Sequence, residues 1–164
     1  MDLRTCKEAN MPMKSGKNKF IWGIFALYVI MMLRLLFGRS AYDLFGSYWE
    51  TLQYNINLIP FYTIKNYLHL LENTSNQYLI RHAYVNLLGN VVMFVPLGFF
   101  LPVLFPKQRS FKWFLPSFCL IILLIEVIQL FTLRGSCDID DFILNCIGGC
   151  IGYGIYKGIC TLRK

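Results

Sequence analysis

The chain alternates long apolar runs with short polar segments, and four of these runs are long enough to cross a lipid bilayer. They are residues 20–37, 83–105, 111–133 and 142–160. A helix needs roughly 20 mostly apolar residues to span the hydrocarbon core of a membrane. Two prolines in the second run do not argue against a span, because proline bends membrane helices more readily than it ends them. The pattern therefore predicts an all-α membrane protein with about four transmembrane helices.

The polar segment between the first two spans carries a weaker periodic signal. Phe61, Ile64, Leu68 and Leu71 recur at helical spacing, and Pro60 prevents a helix from continuing through the residue before it. We therefore expect a short interfacial helix in this segment, residues 38–82, which we name the first outer loop. A re-entrant hairpin around the proline is the alternative, whereas the segment has too few continuous apolar residues for a fifth span.

Basic residues collect in three places, and their distribution predicts the orientation of the spans. These places are the N-terminal tail, residues 1–19, the turn between the second and third spans, and the C-terminal end, residues 161–164. Cytoplasmic segments of membrane proteins carry an excess of Lys and Arg. We therefore expect a basic cytoplasmic tail, a transmembrane domain over residues 20–160 and a basic C-terminal end. The protein is expected in the cell membrane, crossing it several times, with both termini in the cytoplasm.

The composition supports a membrane protein and argues against a nucleic-acid-binding protein. The 164 residues are 56% hydrophobic and 15% charged, with a net charge of +7. Such a charge often indicates nucleic-acid binding, but here the basic residues lie in short segments beside apolar runs, where lipid headgroups and topology explain them. We expect contact with membrane lipid and none with nucleic acid.

Polar side chains recur at one depth in three of the four spans. With about 1.5 Å of rise per residue, Asn90 and Glu126 each lie roughly 10 Å below the outer face. At the start of the fourth span, the successive residues Asp138, Asp141 and Asn145 are three and four residues apart and so share one face of a helix. The pattern predicts a ligand-binding polar layer in the outer leaflet, formed by Asn86, Asn90, Glu126, Gln129, Arg134, Asp138, Asp141 and Asn145, with Arg81 and Asp140 as secondary members.

A structural role competes with ligand binding for each of these side chains. Membrane-buried Asn and Gln often join helices, at about 0.6 to 2 kcal/mol per contact. An acid is harder to explain in this way, since insertion scales assign a cost of about 2.5 to 3.5 kcal/mol to Asp at a helix centre. We therefore favour a functional role for Glu126. Asp140 is interpreted as a solvated loop carboxylate, and Asp141 as the N-cap of the fourth span as well as a site residue.

These polar residues fall within longer motifs that resemble the VanZ family of bacterial membrane proteins. The motifs are NLIPF at residues 57–61, NLLGNVVMFVPLGFFLP at 86–102 and EVIQLFTLRGSCDIDDFILNCIGGCIGYGIY at 126–156. The resemblance implies a membrane protein related to one associated with low-level resistance to teicoplanin. Teicoplanin is a lipid-tailed glycopeptide that acts at the outer face of the cytoplasmic membrane. The resemblance implies no enzymatic reaction.

Three functions fit the polar layer, and the residues alone leave all three open. In the first, the layer binds a lipid-linked cell-wall component or a lipoglycopeptide, with the acids engaging amide or ammonium groups and the arginines any phosphate. In the second, Glu126, Asp138 and Asp141 hold a divalent cation for a reaction on an isoprenoid or phospholipid headgroup. In the third, Glu126 carries protons in a small transporter. We favour binding and expect neither an enzyme nor a cofactor, because the sequence has no P-loop, nucleophile elbow or H-E-x-x-H motif.

Overall fold

The computed structural model describes residues 15–38 and 47–162, with side chains from residue 19 onward. Most of the predicted basic tail lies outside the described residues, and so do Arg163 and Lys164 at the predicted basic C-terminal end. The expected roles of these two segments therefore stay predictions.

The described residues form four long helices and several short elements around one end of them. The long helices are each apolar and long enough to cross a membrane, which confirms the predicted fold class. In chain order the elements are α1 (Ser15–Phe37), α2 (Tyr48–Tyr54), β1 (Ile56–Asn57), α3 (Tyr62–Asn73), α4 (Gln77–Leu104), a 3₁₀ turn (Pro106–Arg109), α5 (Phe111–Phe131), β2 (Cys137–Asp138) and α6 (Ile139–Leu162). The four spans are α1, α4, α5 and α6.

Local contacts explain why two of the spans differ from their predicted limits. The Asn76 side chain accepts a hydrogen bond from the Tyr78 backbone N–H, so α4 begins at Gln77 and not at residue 83. α5 ends at Phe131, two residues before its predicted end. It stops there because Leu133 adopts a left-handed backbone conformation with a φ of 53°.

Two short elements in the first outer loop were not predicted. α2 begins with a capping box, in which the Ser47 side chain accepts from the Glu50 N–H and the Glu50 carboxylate accepts from the Ser47 N–H. β1 then pairs in parallel with β2, with Ile56 opposite Cys137. Since β2 directly precedes α6, this pairing places the first outer loop at the end of the bundle where α6 begins.

The predicted helix after the proline is present as α3, and it packs against α4 and α6. Ile64 and Leu71 are half-buried, whereas Phe61 and Leu68 are 52% and 49% exposed. None of the residues of α3 is fully buried. The helix therefore covers the end of the bundle without entering its core, and its position at a membrane interface stays a prediction.

Close packing of α4 against α6 forms the centre of the bundle. A Cβ atom at Gly148 would overlap the carbonyl oxygen of Val91, and a Cβ atom at Gly152 would overlap the carbonyl oxygen of Val95. Small residues let membrane helices approach each other closely and gain van der Waals contact. The glycines of α6 thus fix the distance at which side chains of α4 and α6 face each other.

Aromatic packing fills the half of the bundle away from the first outer loop. The rings of Phe114 and Tyr153 lie 4.5 Å apart between centroids, and Phe94 and Phe118 are fully buried beside them. At the opposite end, α1 and α5 finish where α4 and α6 begin. The polar side chains collect at that opposite end.

Candidate functional site

A cavity of about 870 Å³ lies at the end of the bundle covered by α3. This volume is within the range of small-molecule sites in proteins, roughly 300 to 1,000 Å³. The structure brings all eight primary polar residues to the wall of this one cavity: Asn86, Asn90, Glu126, Gln129, Arg134, Asp138, Asp141 and Asn145. The convergence of these residues is therefore observed, whereas ligand binding by them stays a prediction.

Glu126 and Asn145 form the most deeply buried polar pair of the cavity. They are 4% and 2% exposed, and Nδ2 of Asn145 donates to Oε1 of Glu126 at 3.2 Å, joining α6 to α5. The Oδ1 atom of Asn145 has no hydrogen-bond partner among the described residues. A buried acceptor without a partner costs about 1–3 kcal/mol. This oxygen is therefore able to accept a hydrogen bond from a ligand in the cavity.

Asn90 and Asp141 form a second polar pair, which joins α4 to α6. Nδ2 of Asn90 donates a short hydrogen bond to Oδ1 of Asp141. Asn86, one turn earlier on α4, donates instead to the backbone carbonyl of His82 at 2.9 Å, so this contact is within its own helix.

Gln129 and Arg134 use part of their hydrogen-bonding capacity to hold the end of α1. Nε2 of Gln129 donates to the Leu36 carbonyl oxygen at 3.1 Å, and Nη1 of Arg134 donates to the Phe37 carbonyl oxygen. The last carbonyls of a helix lack partners within the helix itself. Both side chains therefore have a structural role in addition to lining the cavity.

The fourth span is capped by Asp138 and not, as predicted, by Asp141. Oδ1 of Asp138 accepts from the Asp140 backbone N–H at 2.8 Å, directly at the start of α6, whereas Asp141 lies within the first turn. Oδ2 of Asp138 accepts from Thr63 Oγ1 at 2.5 Å and from Asn57 Nδ2 at 3.2 Å. Asp138 thus connects α6 with the first outer loop, and this cap explains why α6 begins three residues before its predicted start.

Asp140 is not the solvated carboxylate that the sequence indicated. The side chain is fully buried, and it accepts from the backbone N–H groups of Phe61 at 2.5 Å and Ile64 at 3.0 Å. Phe61 precedes α3 with a left-handed φ of 63°, so the carboxylate binds the N-terminal end of α3, where the helix dipole favours a negative charge. Asp140 therefore fixes α3 to the bundle, and neither it nor the exposed Arg81 is part of the cavity wall.

The acids of the cavity do not form a metal centre in the described part of the chain. No three or more His, Cys, Asp and Glu side chains there are arranged to hold a metal ion. The suggested set of Glu126, Asp138 and Asp141 is divided instead among three separate hydrogen-bonding groups, with Asn145, with the first outer loop and with Asn90. The divalent-cation hypothesis therefore gains no support from the geometry.

Comparison with known protein families shows which family the chain belongs to. The profile of the VanZ/LLP1 family matches residues 25–162, which include all the long helices except the start of α1. The chain belongs to the VanZ/LLP1 family. It is also similar to the protein named Protein VanZ of Enterococcus faecium, with 28% identity over 137 residues that cover 82% of this chain and 71% of the relative. No solved structure matches the chain.

This VanZ-like membrane protein also has cavity residues that the sequence analysis missed. Arg34 and Leu35 of α1, Thr63 and Tyr67 of α3, and His82 of α4 all line the cavity. In the sequence Arg34 is a charged residue near the end of an apolar run, which does not by itself indicate a cavity. Nothing in the sequence of α3 indicates which side of the bundle this helix covers. The four-residue spacing of Thr63 and Tyr67 does place them on one face of α3, which was a usable signal.

Proposed function

We propose that this VanZ-like protein binds the polar end of an amphiphile in its cavity, and so lowers susceptibility to lipoglycopeptides of the teicoplanin type. The ligand is a lipid-linked cell-wall component or the lipoglycopeptide itself. One observation carries the proposal: eight polar side chains, six from three apolar spans and two from the segment between α5 and α6, line a single cavity of about 870 Å³. Polar groups at membrane depth are costly and usually mark functional pathways or binding sites.

The unpaired acceptor atom of the cavity favours a ligand that donates hydrogen bonds. The Oδ1 atom of Asn145 is a buried acceptor without a partner, and it lies beside the carboxyl group of Glu126. Peptide amides, ammonium groups and sugar hydroxyls are donors that these oxygens can accept from. Such hydrogen bonds are stronger away from water, because the local dielectric constant is low. A headgroup with several N–H or O–H donors is therefore the best match.

The distribution of charge supports a cavity that faces the outside of the cell. Three basic residues lie at the end of the bundle opposite the cavity: Lys107 and Arg109 between α4 and α5, and Lys112 in the first turn of α5. Cytoplasmic loops are the ones enriched in Lys and Arg. With that orientation the cavity lies in the outer half of the membrane, where lipid-linked cell-wall components and lipoglycopeptides are exposed.

The other two hypotheses have no separate observation in their favour. Metal-dependent chemistry on a lipid headgroup lacks an arranged set of acidic ligands among the described residues. Proton transport would rest on Glu126 alone, and ligand binding explains that residue together with its seven neighbours in the cavity wall.

The test is teicoplanin susceptibility in cells that express the protein at matched abundance. Glu126→Gln keeps the size of the side chain and removes the ionisable group. The control is Glu72→Gln, which makes the same change at an exposed position on α3 outside the cavity. Wild type and Glu72→Gln should protect equally and Glu126→Gln should not. Equal protection by all three would remove Glu126 from the proposed site.

A further inference from the structure

α1 contacts α4 closely along only one half of its length. Trp22 packs on Phe105 and Phe25 on Phe100, each with ring centroids 5.6 Å apart. These contacts end near Tyr28, whose hydroxyl donates to the Met93 carbonyl oxygen at 2.7 Å. The paired halves of α1 and α4 are those distant from the first outer loop.

Beyond Tyr28 both helices line the cavity. Met31 and Leu35 of α1 and Val85 and Val92 of α4 all belong to the cavity wall. The end of α1 is bonded to the α5 side by Gln129 and Arg134, as described above, and no hydrogen bond or ring contact joins this half of α1 to α4 within the described residues. The cavity therefore lies in the gap between α1 and α4.

The side chains that border this gap are also strongly exposed. Met31 and Leu35 are each 57% exposed, and Val85 and Val92 are 51% and 65% exposed. A side chain that lines the cavity and is also half exposed marks the place where the cavity meets the surface. All four are apolar and lie on helices that span the membrane, so the surface they border is the one that faces lipid tails.

The guanidinium group of Arg34 lies at the edge of this apolar opening. Arg34 is exposed, lines the cavity, and lies on the same face of α1 as Met31 and Leu35. No side-chain hydrogen bond or ion pair involves its guanidinium within the part of the chain that the structure describes. Arg134, in contrast, is bonded to the Phe37 carbonyl. Guanidinium groups bind phosphate and carboxylate in a two-pronged geometry, which makes Arg34 the anion-binding group of this opening.

We propose that the gap between α1 and α4 is a lateral tail site, in which one long hydrocarbon chain lies between Leu35 and Val92 and a phosphate group pairs with Arg34. This inference rests on the proposed function and narrows its ligand to an anionic amphiphile with a single long chain. The polar end reaches Glu126 and Asn145 inside the cavity, while the chain extends through the gap into the membrane. The ligand therefore does not leave the bilayer in order to bind.

Photo-crosslinking from α1 tests the tail site directly. A photo-reactive amino acid replaces Leu35 at the gap or, as the matched control, Leu33, which is 44% exposed on the same helix and does not line the cavity. The protein is placed in phosphatidylcholine nanodiscs that contain hexadecyl phosphate as a minor component. We expect crosslinks to hexadecyl phosphate, relative to phosphatidylcholine, to be enriched about tenfold at residue 35 over residue 33. Replacing hexadecyl phosphate by hexadecanol, or Arg34 by Gln, should abolish this enrichment.

A second pair of positions controls for distortion of the gap by the photo-reactive amino acid at residue 35. Val92 borders the gap on α4, and Leu88, 57% exposed on the same helix, does not line the cavity. Enrichment at residue 92 over residue 88 supports the tail site even when the reporter at residue 35 disturbs it. If the ratio of hexadecyl phosphate to phosphatidylcholine crosslinks is equal at the two positions of each pair, the helices contact only bulk lipid. That result would overturn the inference.

The outcome is separable from that of the proposed function. If Glu126→Gln loses teicoplanin protection but both pairs give equal ratios, the polar site stands and the tail site is wrong. If Glu126→Gln protects as well as wild type while enrichment depends on Arg34, the tail site stands and the role of the acid is wrong.

Discussion

Nδ2 of Asn145 on α6 donates a hydrogen bond to Oε1 of Glu126 on α5, in the end of the bundle that the first outer loop covers. The pair is nearly inaccessible to solvent, and the remaining oxygen of Asn145 has no partner within the described residues. Two spans that use a carboxyl group and an amide only for packing would satisfy both groups, because unsatisfied polar atoms are costly in a low-dielectric interior. The incomplete pairing therefore favours a ligand as the missing donor.

If Glu126 and Asn145 contact the same ligand, their effects on binding should not be additive. Glu126→Gln and Asn145→Ala should each weaken binding, and the double variant should be only slightly weaker than the poorer single variant. Groups in contact typically show coupling energies of about 0.5–3 kcal/mol. Binding of purified wild type and the three variants measures the coupling. A control cycle of Glu126→Gln with the exposed Glu72→Gln should be additive, and additivity in both cycles would argue against a shared ligand.

Asp140→Asn should destabilise the protein without touching the cavity. The fully buried carboxylate accepts from the N–H groups of Phe61 and Ile64, and an amide offers only one oxygen to replace its two. Leaving a buried donor unpaired costs about 1–3 kcal/mol, so the melting temperature in detergent should fall and α3 should become more sensitive to protease. Glu72→Gln serves as the neutral control. A melting temperature equal to that of wild type would show that the Asp140 contacts do not stabilise α3.

Gly152→Ala should destabilise the bundle, whereas Gly158→Ala should not. A Cβ atom at Gly152 would overlap the carbonyl oxygen of Val95, but a Cβ atom at Gly158 meets nothing within 4 Å. Overpacking of a well-packed interior costs typically about 1–3 kcal/mol, while glycine to alanine in an open helical position is neutral or favourable. Thermal unfolding and the yield of monodisperse protein measure the difference. Equal effects at the two positions would contradict the close packing of α4 on α6.

The orientation of the bundle is tested by labelling Cys137 with a membrane-impermeant maleimide. In a variant that lacks the other five cysteines, Cys137 should react in intact cells. A single cysteine introduced at Ser110, in the turn before α5, should react only after permeabilisation. The reverse pattern would place the cavity on the cytoplasmic side and remove the lipoglycopeptide from consideration.

The pH dependence of this labelling follows from the surroundings of Cys137. Burial, and then the nearby carboxyl groups of Glu126 and Asp138, raise the pKa of the Cys137 thiol. The reactive thiolate is therefore scarcer at neutral pH than for a free cysteine, whose pKa is about 8.5. The labelling rate of Cys137 should keep rising above the pH at which that of free cysteine levels off. A rate profile like that of free cysteine would indicate a more exposed thiol.

The spans and the polar layer were predictable because both depend on distance along a helix. Apolar length alone identifies the four spans, and a fixed rise per residue places Asn90 and Glu126 at one depth. The structure brings these two side chains to the same cavity. α2 was also readable in principle, since Ser47 and Glu50 have the spacing of a capping box.

The roles of the aspartates were not predictable, because they depend on contacts far apart in the sequence. Asp138 and Asp140 are bonded to Thr63 and Ile64, about 75 residues earlier in the chain. Helical periodicity gives the faces of α3 and α6 but not the rotation that brings them together. The sequence therefore does not show which of the three acids within residues 138–141 caps α6, which supports α3 and which lines the cavity.

We propose that the polar cavity binds a hydrogen-bond-donating amphiphile through Glu126. The most direct measurement is equilibrium binding of teicoplanin and of a panel of lipid-linked cell-wall intermediates to purified protein in nanodiscs, comparing wild type, Glu126→Gln and Glu72→Gln. Leaving a buried hydrogen-bonding group unpaired costs about 1–3 kcal/mol, so Glu126→Gln should weaken binding about tenfold while Glu72→Gln leaves it unchanged. Equal affinity of all three proteins, or no binding of any panel member by wild type, would contradict ligand binding through Glu126.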